Sequence, residues 1–259
     1  MKLSIITPSF NQHLFLGAVL QSVLSQRGGF ELELLVIDGA STDGSVELLE
    51  QINDDRVVWV SEPDDGQADA LNKGFARATG DVVAWLNSDD LYVPGALAAV
   101  VDAFENHGGA RWIVGRCEII DAQDHVIRRG ITRYKERALR RYRYDLLLRE
   151  NFISQMAVFW RREFFESVGP LDESLRYTMD YDLWLRMGAQ ADPLVLDRVL
   201  ARFRVHREGK GRRHTLAQFS EQYRVACRYL GGKPLARVMH LLNIIKVLTA
   251  YGLMRLCGR

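Results

Sequence analysis

The stretch QADALNKGFARATGDVVAWLNSDD occupies residues 67–90. ADALNKGFARA (68–78) has the spacing of an amphipathic helix, and DVVAWLN (81–87) is a short, apolar, β-prone run. The run stops at Asn87-Ser88-Asp89-Asp90. Two adjacent carboxylates repel each other, and burying them without a partner is costly. Water or a cation must offset that charge.

The same alternation extends back to the first residues. KLSIIT, LELLVID and RVVWVSE read as strands, and LGAVLQSVLSQ (16–26) and SVELLEQIN as helices. Strands alternating with helices predict right-handed βαβ units and a mainly parallel sheet flanked by helices. In such sheets, ligands bind beyond the carboxyl ends of the strands. Polar clusters sit at those ends: Thr7–Asn11, Asp38–Ser45, Glu62–Gln67 and Asn87–Asp90. Any one of them is equally well a turn with a helix cap. Four in succession point to one rim.

The second half is less regular. ARWIVGRCEII and QMAVFW predict strands, RREFFESVG a short helix closed by Gly169, and DYDLWLRMGAQ a further helix whose Trp184 and Leu185 face the core. PLVLDRVLARFRVH is extended up to His206, and from Thr215 the pattern is helical. A catalytic domain over 1–212 with a helical C-terminal extension over 213–259 is expected. Gly209 and Gly211 lie in a basic stretch that reads as a lid or linker.

Composition bounds the function. The chain has 259 residues, 47% hydrophobic and 26% charged, with a net charge of +1, so it carries no nucleic-acid signal. Acidic residues cluster between Asp38 and Asp90, whereas Arg and Lys crowd 128–149 and 198–213, as if one part held a cation and another an anion. Three scattered cysteines without a CxxC spacing fit a reducing cytosol. The apolar run in MKLSIITPSF is too short for a signal peptide, and no apolar stretch is long enough to span a membrane.

In order along the chain, SIITPSFNQ, LLVIDGASTDGSVELL, SEPDDGQADALNKGFARATGDVVAWLNSDD, FISQMAVFWRREFFESVGPLDE, YTMDYDLWLRM and ARFRVHREGKGRRHT resemble the inverting family 2 glycosyltransferases of the GT-A fold. The resemblance implies a nucleotide-diphosphate sugar donor, expected to be UDP-linked, and a divalent metal, manganese or magnesium. The family's Asp-x-Asp metal element reads Asn87-Ser88-Asp89 here. An amide ligates a metal poorly, which leaves Asp89 as ligand, with His206 completing the shell or touching the diphosphate. Arg204 and Lys210 are the alternative diphosphate contacts. Asp90 is read as a cap for the helix near Pro94.

Nucleotide recognition falls by resemblance to Thr7, Pro8, Ser9, Asn11 and Asp38, the last accepting a hydrogen bond from uracil. Gln67, Asp69 and Lys73 are expected to touch the donor, as are Asn87 and Ser88, although Lys73 also reads as a solvated helix face. Asp180 matches the family's general base. Met179 stands where the family has Glu, and Asp182 is the competitor, since either carboxylate could merely cap the helix. The expected acceptor is a hydroxyl of a glycan or lipid-linked sugar, placing the protein in the cytoplasm at the inner face of a bacterial membrane and in cell-envelope polysaccharide synthesis. Residues 120–155 are read as facing the acceptor or as a solvated basic surface. For 235–256, contact with a membrane surface, packing on the domain and homodimerisation all stand. The Gln-x-x-Arg-Trp element of processive members is absent, so one transfer per encounter is expected. A nucleotidyl-transferring pyrophosphorylase would need a glycine-rich loop after the first strand. A non-catalytic nucleotide-sugar-binding or assembly protein that keeps the fold is the remaining alternative, kept open by Asn87 and Met179.

Overall fold

The computed structural model describes residues 1–206, 215–231 and 234–256. Its first half is the expected alternation: β1 (Lys2–Ser9), α1 (His13–Leu24), β2 (Glu31–Asp38), α2 (Ser45–Glu50), β3 (Val57–Ser61), α3 (Gln67–Arg77) and β4 (Val82–Trp85). β3, β2, β1 and β4 lie side by side, all parallel. Period-two alternation divides their side chains between two cores. Ile6, Leu35, Ile37, Val83 and Trp85 point to one face, and Leu3, Ile5, Leu34, Val36, Val82 and Ala84 to the other.

Beyond Trp85 the sheet becomes mixed. β5 (Leu91–Tyr92) and α4 (Ala96–Asn106) precede β6 (Trp112–Ile120) and β7 (Val126–Ile127). Then come α5 (Arg129–Arg140), α6 (Tyr144–Leu147), β8 (Val158–Arg161), α7 (Arg162–Val168), α8 (Met179–Gly188) and β9 (Leu194–Arg204). β8 lies antiparallel to both β4 and β6, β9 is parallel to β6, and β5 is antiparallel to β9. The α5 helix has no sequence expectation because it has almost no apolar stripe: Leu139 is its one buried residue.

Two further helices, α9 (Thr215–Tyr229) and α10 (Pro234–Leu256), follow. The boundary expected at 212/213 falls, with Lys210, Gly209 and Gly211, outside the described residues. Val225, Ala226 and Leu230 belong to the core that contains Trp85, Trp112, Trp160 and Trp184. In that core Trp184 stacks on Trp85 and Trp112 at 5.8 and 6.0 Å between ring centroids. Trp184 and Leu185 are fully buried, as expected.

Candidate functional site

The register of β5 on β9 assembles one side of the site. Leu91 pairs with Arg202 and Tyr92 with Ala201. Continuing past the last rung brings residues 89 and 90 alongside 203–206. Asp89 Oδ2 lies 3.0 Å from His206 Nε2, and the His206 ring packs 4.8 Å from Phe15. Asp89 and His206 thus converge although 117 residues separate them.

Asp90 does not cap a helix. The α4 helix is capped at Gly95, whose φ of 73° lies in the left-handed region. Asp90 is instead fully buried and accepts hydrogen bonds from Arg204 N and Asn87 Nδ2, at 2.9 and 3.1 Å. Burial, reinforced by the neighbouring Asp89 charge, pushes its pKa well above the usual carboxylate range.

Arg204 is not a diphosphate contact either. Its side chain is 2% exposed. Nε donates to Asp89 O at 2.9 Å, and the guanidinium also reaches Asp121 O, Ala122 O and the Asp124 carboxylate. The charge is spent on pinning two loops, and it holds the Asp89 backbone in place.

An amide network ties Asn87 down. Gln67 Nε2 donates to Asn87 Oδ1 at 2.8 Å. Asn87 Nδ2 also reaches Gln155 Oε1 at 3.2 Å, and Gln155 Nε2 donates to Trp85 O at 2.7 Å. Ser88 is buried beside it.

Thr7, Pro8, Ser9 and Asp38 lie on paired rungs of β1 and β2. The Thr7 and Ser9 hydroxyls are buried with no hydrogen-bond partner among the described residues. Asp38 Oδ2 accepts from Ser41 N and Ser61 Oγ, and Oδ1 from Ser41 Oγ. Asp38 is fully buried. Asn11 holds the loops together: its N–H donates to Ser41 Oγ and its Oδ1 accepts from Thr42 N. A Cβ at Gly39 would meet the tip of the Asp64 side chain, which would have to move to admit it. Asp69 and Lys73 bind each other at 3.1 Å, and Lys73 also reaches Pro63 O at 3.2 Å. Both serve the loop before α3 rather than the Asp89–His206 pair.

Asp180 stands in the first turn of α8, with Oδ1 accepting its neighbour's N–H, from Tyr181, at 2.7 Å. Burial pushes its pKa up to about 6, against the opposing pull of the Tyr181 N–H, the Lys135 charge and the Asn151 amide. Asp182 is not its equal. It is 3% exposed, pairs with Arg186 at 2.9 Å and accepts from Tyr229 Oη at 2.7 Å. That carboxylate fastens α9 to α8. The segment 151–155 links the two halves of the site, with Asn151 at Asp180 and Gln155 at Asn87. Four residues span at most about 14 Å.

Three participants were missed from sequence. Lys135 on α5 hydrogen-bonds Ser154 Oγ at 3.3 Å and faces Asp180, and burial lowers its pKa. Gln155 lies within FISQMAVF, a matched stretch in which no residue was singled out. Glu221 on α9 is 5% exposed. Its carboxylate accepts from Arg176 N, Tyr177 N, Thr178 N and Thr178 Oγ1, at 2.7–3.1 Å. It thereby fixes the turn that presents Asp180. No local pattern marks a contact made across more than 40 residues.

Residues 4–169 match the family described as Glycosyl transferase family 2. The chain belongs to this family. Similar proteins include an uncharacterized glycosyltransferase of Nostoc sp., 30% identical over 66% of this chain and 54% of its own length. A PGL/p-HBAD biosynthesis glycosyltransferase of Mycobacterium bovis is 30% identical over 71% of this chain and 68% of its own. This chain thus spans about half of the Nostoc relative. Among solved structures, S. aureus TarS 1–349 in complex with UDP-GlcNAc superposes with a TM-score of 0.69 at 16% identity, covering 90% of this chain and 68% of that one. The Pyrobaculum calidifontis mannosyltransferase PcManGT in complex with GDP-Man and Mn2+ gives 0.66 at 18% identity, covering 98% and 80%. At these identities the superpositions establish the fold, a GT-A-type mixed sheet flanked by helices.

Proposed function

We propose that this protein transfers a sugar from a nucleotide-diphosphate sugar to a hydroxyl of a glycan or lipid-linked acceptor, with inversion at the anomeric carbon. The observation that carries the reading is the pairing of a convergent Asp89–His206 edge with a half-buried Asp180, joined by residues 151–155. Asp180 takes the proton from the acceptor hydroxyl as that oxygen bonds to the anomeric carbon. The bond from that carbon to the diphosphate breaks on the opposite face, and the nucleoside diphosphate leaves with its electron pair. A carboxylate poised near pH 6 suits the task, since it is largely ionised at neutral pH yet more basic than an exposed Asp.

The donor set at the Asp89 edge fits a divalent cation of the manganese or magnesium kind. Among the described residues no cluster of three or more ligating side chains exists. One carboxylate and one imidazole nevertheless converge, and such ions are commonly held by one or two side chains together with substrate phosphates. Asp89 and His206 would hold it, and when bound it would offset the charge of the leaving diphosphate. The protein's own contribution is to fix those two side chains through Arg204 and Phe15.

The base expected is uracil. A carboxylate acceptor at Asp38 suits an imide N–H, and the Thr7 and Ser9 hydroxyls, unpartnered among the described residues, lie on the same strand ends. Gln67, Asn87 and Ser88 border the place of the donor sugar. A cell-envelope glycan as product, with membrane-surface contact through 235–256, completes the reading. No helix among the described residues is long and apolar enough to cross a membrane. The non-catalytic alternative draws on the engagement of Asn87 by two glutamines. Turnover of a panel of nucleotide sugars, with and without manganese, tests the proposal. Metal-stimulated release of nucleoside diphosphate supports transfer, and donor binding without release overturns it.

A further inference from the structure

Glycosyl transfer leaves two surface features without a role. The first is the outer face of α10. Leu235, Val238, Leu242 and Ile245 recur at helical spacing and are 72, 52, 59 and 51% exposed, with Met239 and Leu241 beside them. The opposite face holds the helix to the body. Ile244 is buried there, and His240 is fully buried with Nδ1 3.0 Å from Leu148 O. The helix therefore turns its apolar stripe outward from a fixed seat, the reverse of what burial in this body alone would select.

The second feature is a row of arginines. Arg129, Arg133, Arg137 and Arg141 follow at intervals of four along α5 and its end, and all are exposed. Among the described residues no ion pair holds any of the four, whereas neighbouring Arg140 and Arg143 are paired with Asp197 and Asp145. The two features adjoin. Lys246 of α10 donates to Tyr134 Oη of α5 at 2.8 Å and lies 4.4 Å from the centre of that ring.

We propose that α5 and α10 together form a docking surface for an anionic phospholipid bilayer. The proposal deepens the membrane-contact part of the proposed function and rests on it. An amphipathic helix lying in the interface buries its apolar stripe among acyl chains, and nearby basic residues meet the headgroup phosphates. Charge decides against the other occupants. A two-fold contact between copies through α10 would draw two unneutralised arginine rows toward each other. A soluble polyanion would satisfy the arginines and leave the apolar stripe in water. A bilayer bearing phosphate answers both.

The test is sedimentation of the full chain with vesicles of phosphatidylcholine alone or mixed with phosphatidylglycerol, at low and high salt. Binding is expected with the anionic vesicles and lost at high salt. Arg133→Gln with Arg137→Gln should lower partition more than about tenfold, and Leu242→Glu with Ile245→Glu by at least as much. Both pairs are on the surface and should keep the native melting temperature and donor turnover. Absence of binding, equal binding to neutral and anionic vesicles, or indifference to the arginine pair overturns the proposal. So does a dimer in sedimentation velocity that the Leu242/Ile245 pair converts to monomer, since the stripe is then covered by a second copy. Donor turnover is read in the same samples without vesicles, so failure of the docking surface is distinguishable from failure of the transferase reading.

Discussion

Asp38 ends β2 and Asp180 stands in the first turn of α8, and the two carboxylates are held differently. Asp38 is fixed by Ser41 and Ser61, three and 23 residues away, within the run of parallel strands. The turn before Asp180 is fixed by Glu221, 43 to 45 residues further along, and Asp180 itself is tuned by Lys135 and Asn151 from other parts of the chain. The loops around Asp38 are local, each completed by its own strand and its neighbour. The base side is made of contacts between distant segments. If the proposed roles hold, donor binding around Asp38 should be open to perturbation one loop at a time, while Asp180 should depend on how the second half closes.

The largest test of this contrast is Asp180→Asn. It should lower kcat by about 10²–10⁴-fold and leave donor affinity near native, measured by steady-state kinetics beside equilibrium binding. Undiminished turnover would remove Asp180 as the base. On the other rim, Asp89→Ala should cost about 10²-fold in kcat/KM and abolish stimulation by manganese. Retained manganese dependence in that variant would place the cation elsewhere.

A pH profile separates the halves again. As the proposed base, Asp180 would work as the carboxylate, and its raised pKa of about 6 means that protonation would remove it as pH falls through that value. The rate at saturating donor should be level above pH 7 and fall about tenfold per unit well below 6, with donor binding unaffected in that range. The smallest effect sharpens the comparison most. Glu221→Ala should lower kcat by about fivefold, the order expected from losing a buried hydrogen-bond acceptor, with donor KM unchanged and the acid limb displaced. Glu221→Gln, which keeps an acceptor oxygen, should recover part of the loss. A drop in melting temperature with unaltered kcat would assign Glu221 to stability alone.

The same contrast explains what could be read beforehand. β1 to β4 and their helices follow from periodicity because each strand is apolar on both faces and each loop carries its own turn residues. The Asp89–His206 encounter was anticipated only by resemblance, and the physical cause is the β5–β9 register, a two-residue strand that leaves no pattern. Asp90 and Arg204 were misread because each looked like a surface group in sequence. Both are buried, and they satisfy each other's surroundings across 114 residues. Asp182 was separable from Asp180 only once α9 was in place, since its partner Tyr229 lies 47 residues away.

The position of Glu221 has a consequence for how the molecule comes into being. Synthesis runs from the amino end, so β1 to β4 leave the ribosome long before residue 221 does. During that interval the amides of Tyr177 and Thr178 lack their acceptor. The turn that presents Asp180 would thus be set late, once residue 221 has joined the fold.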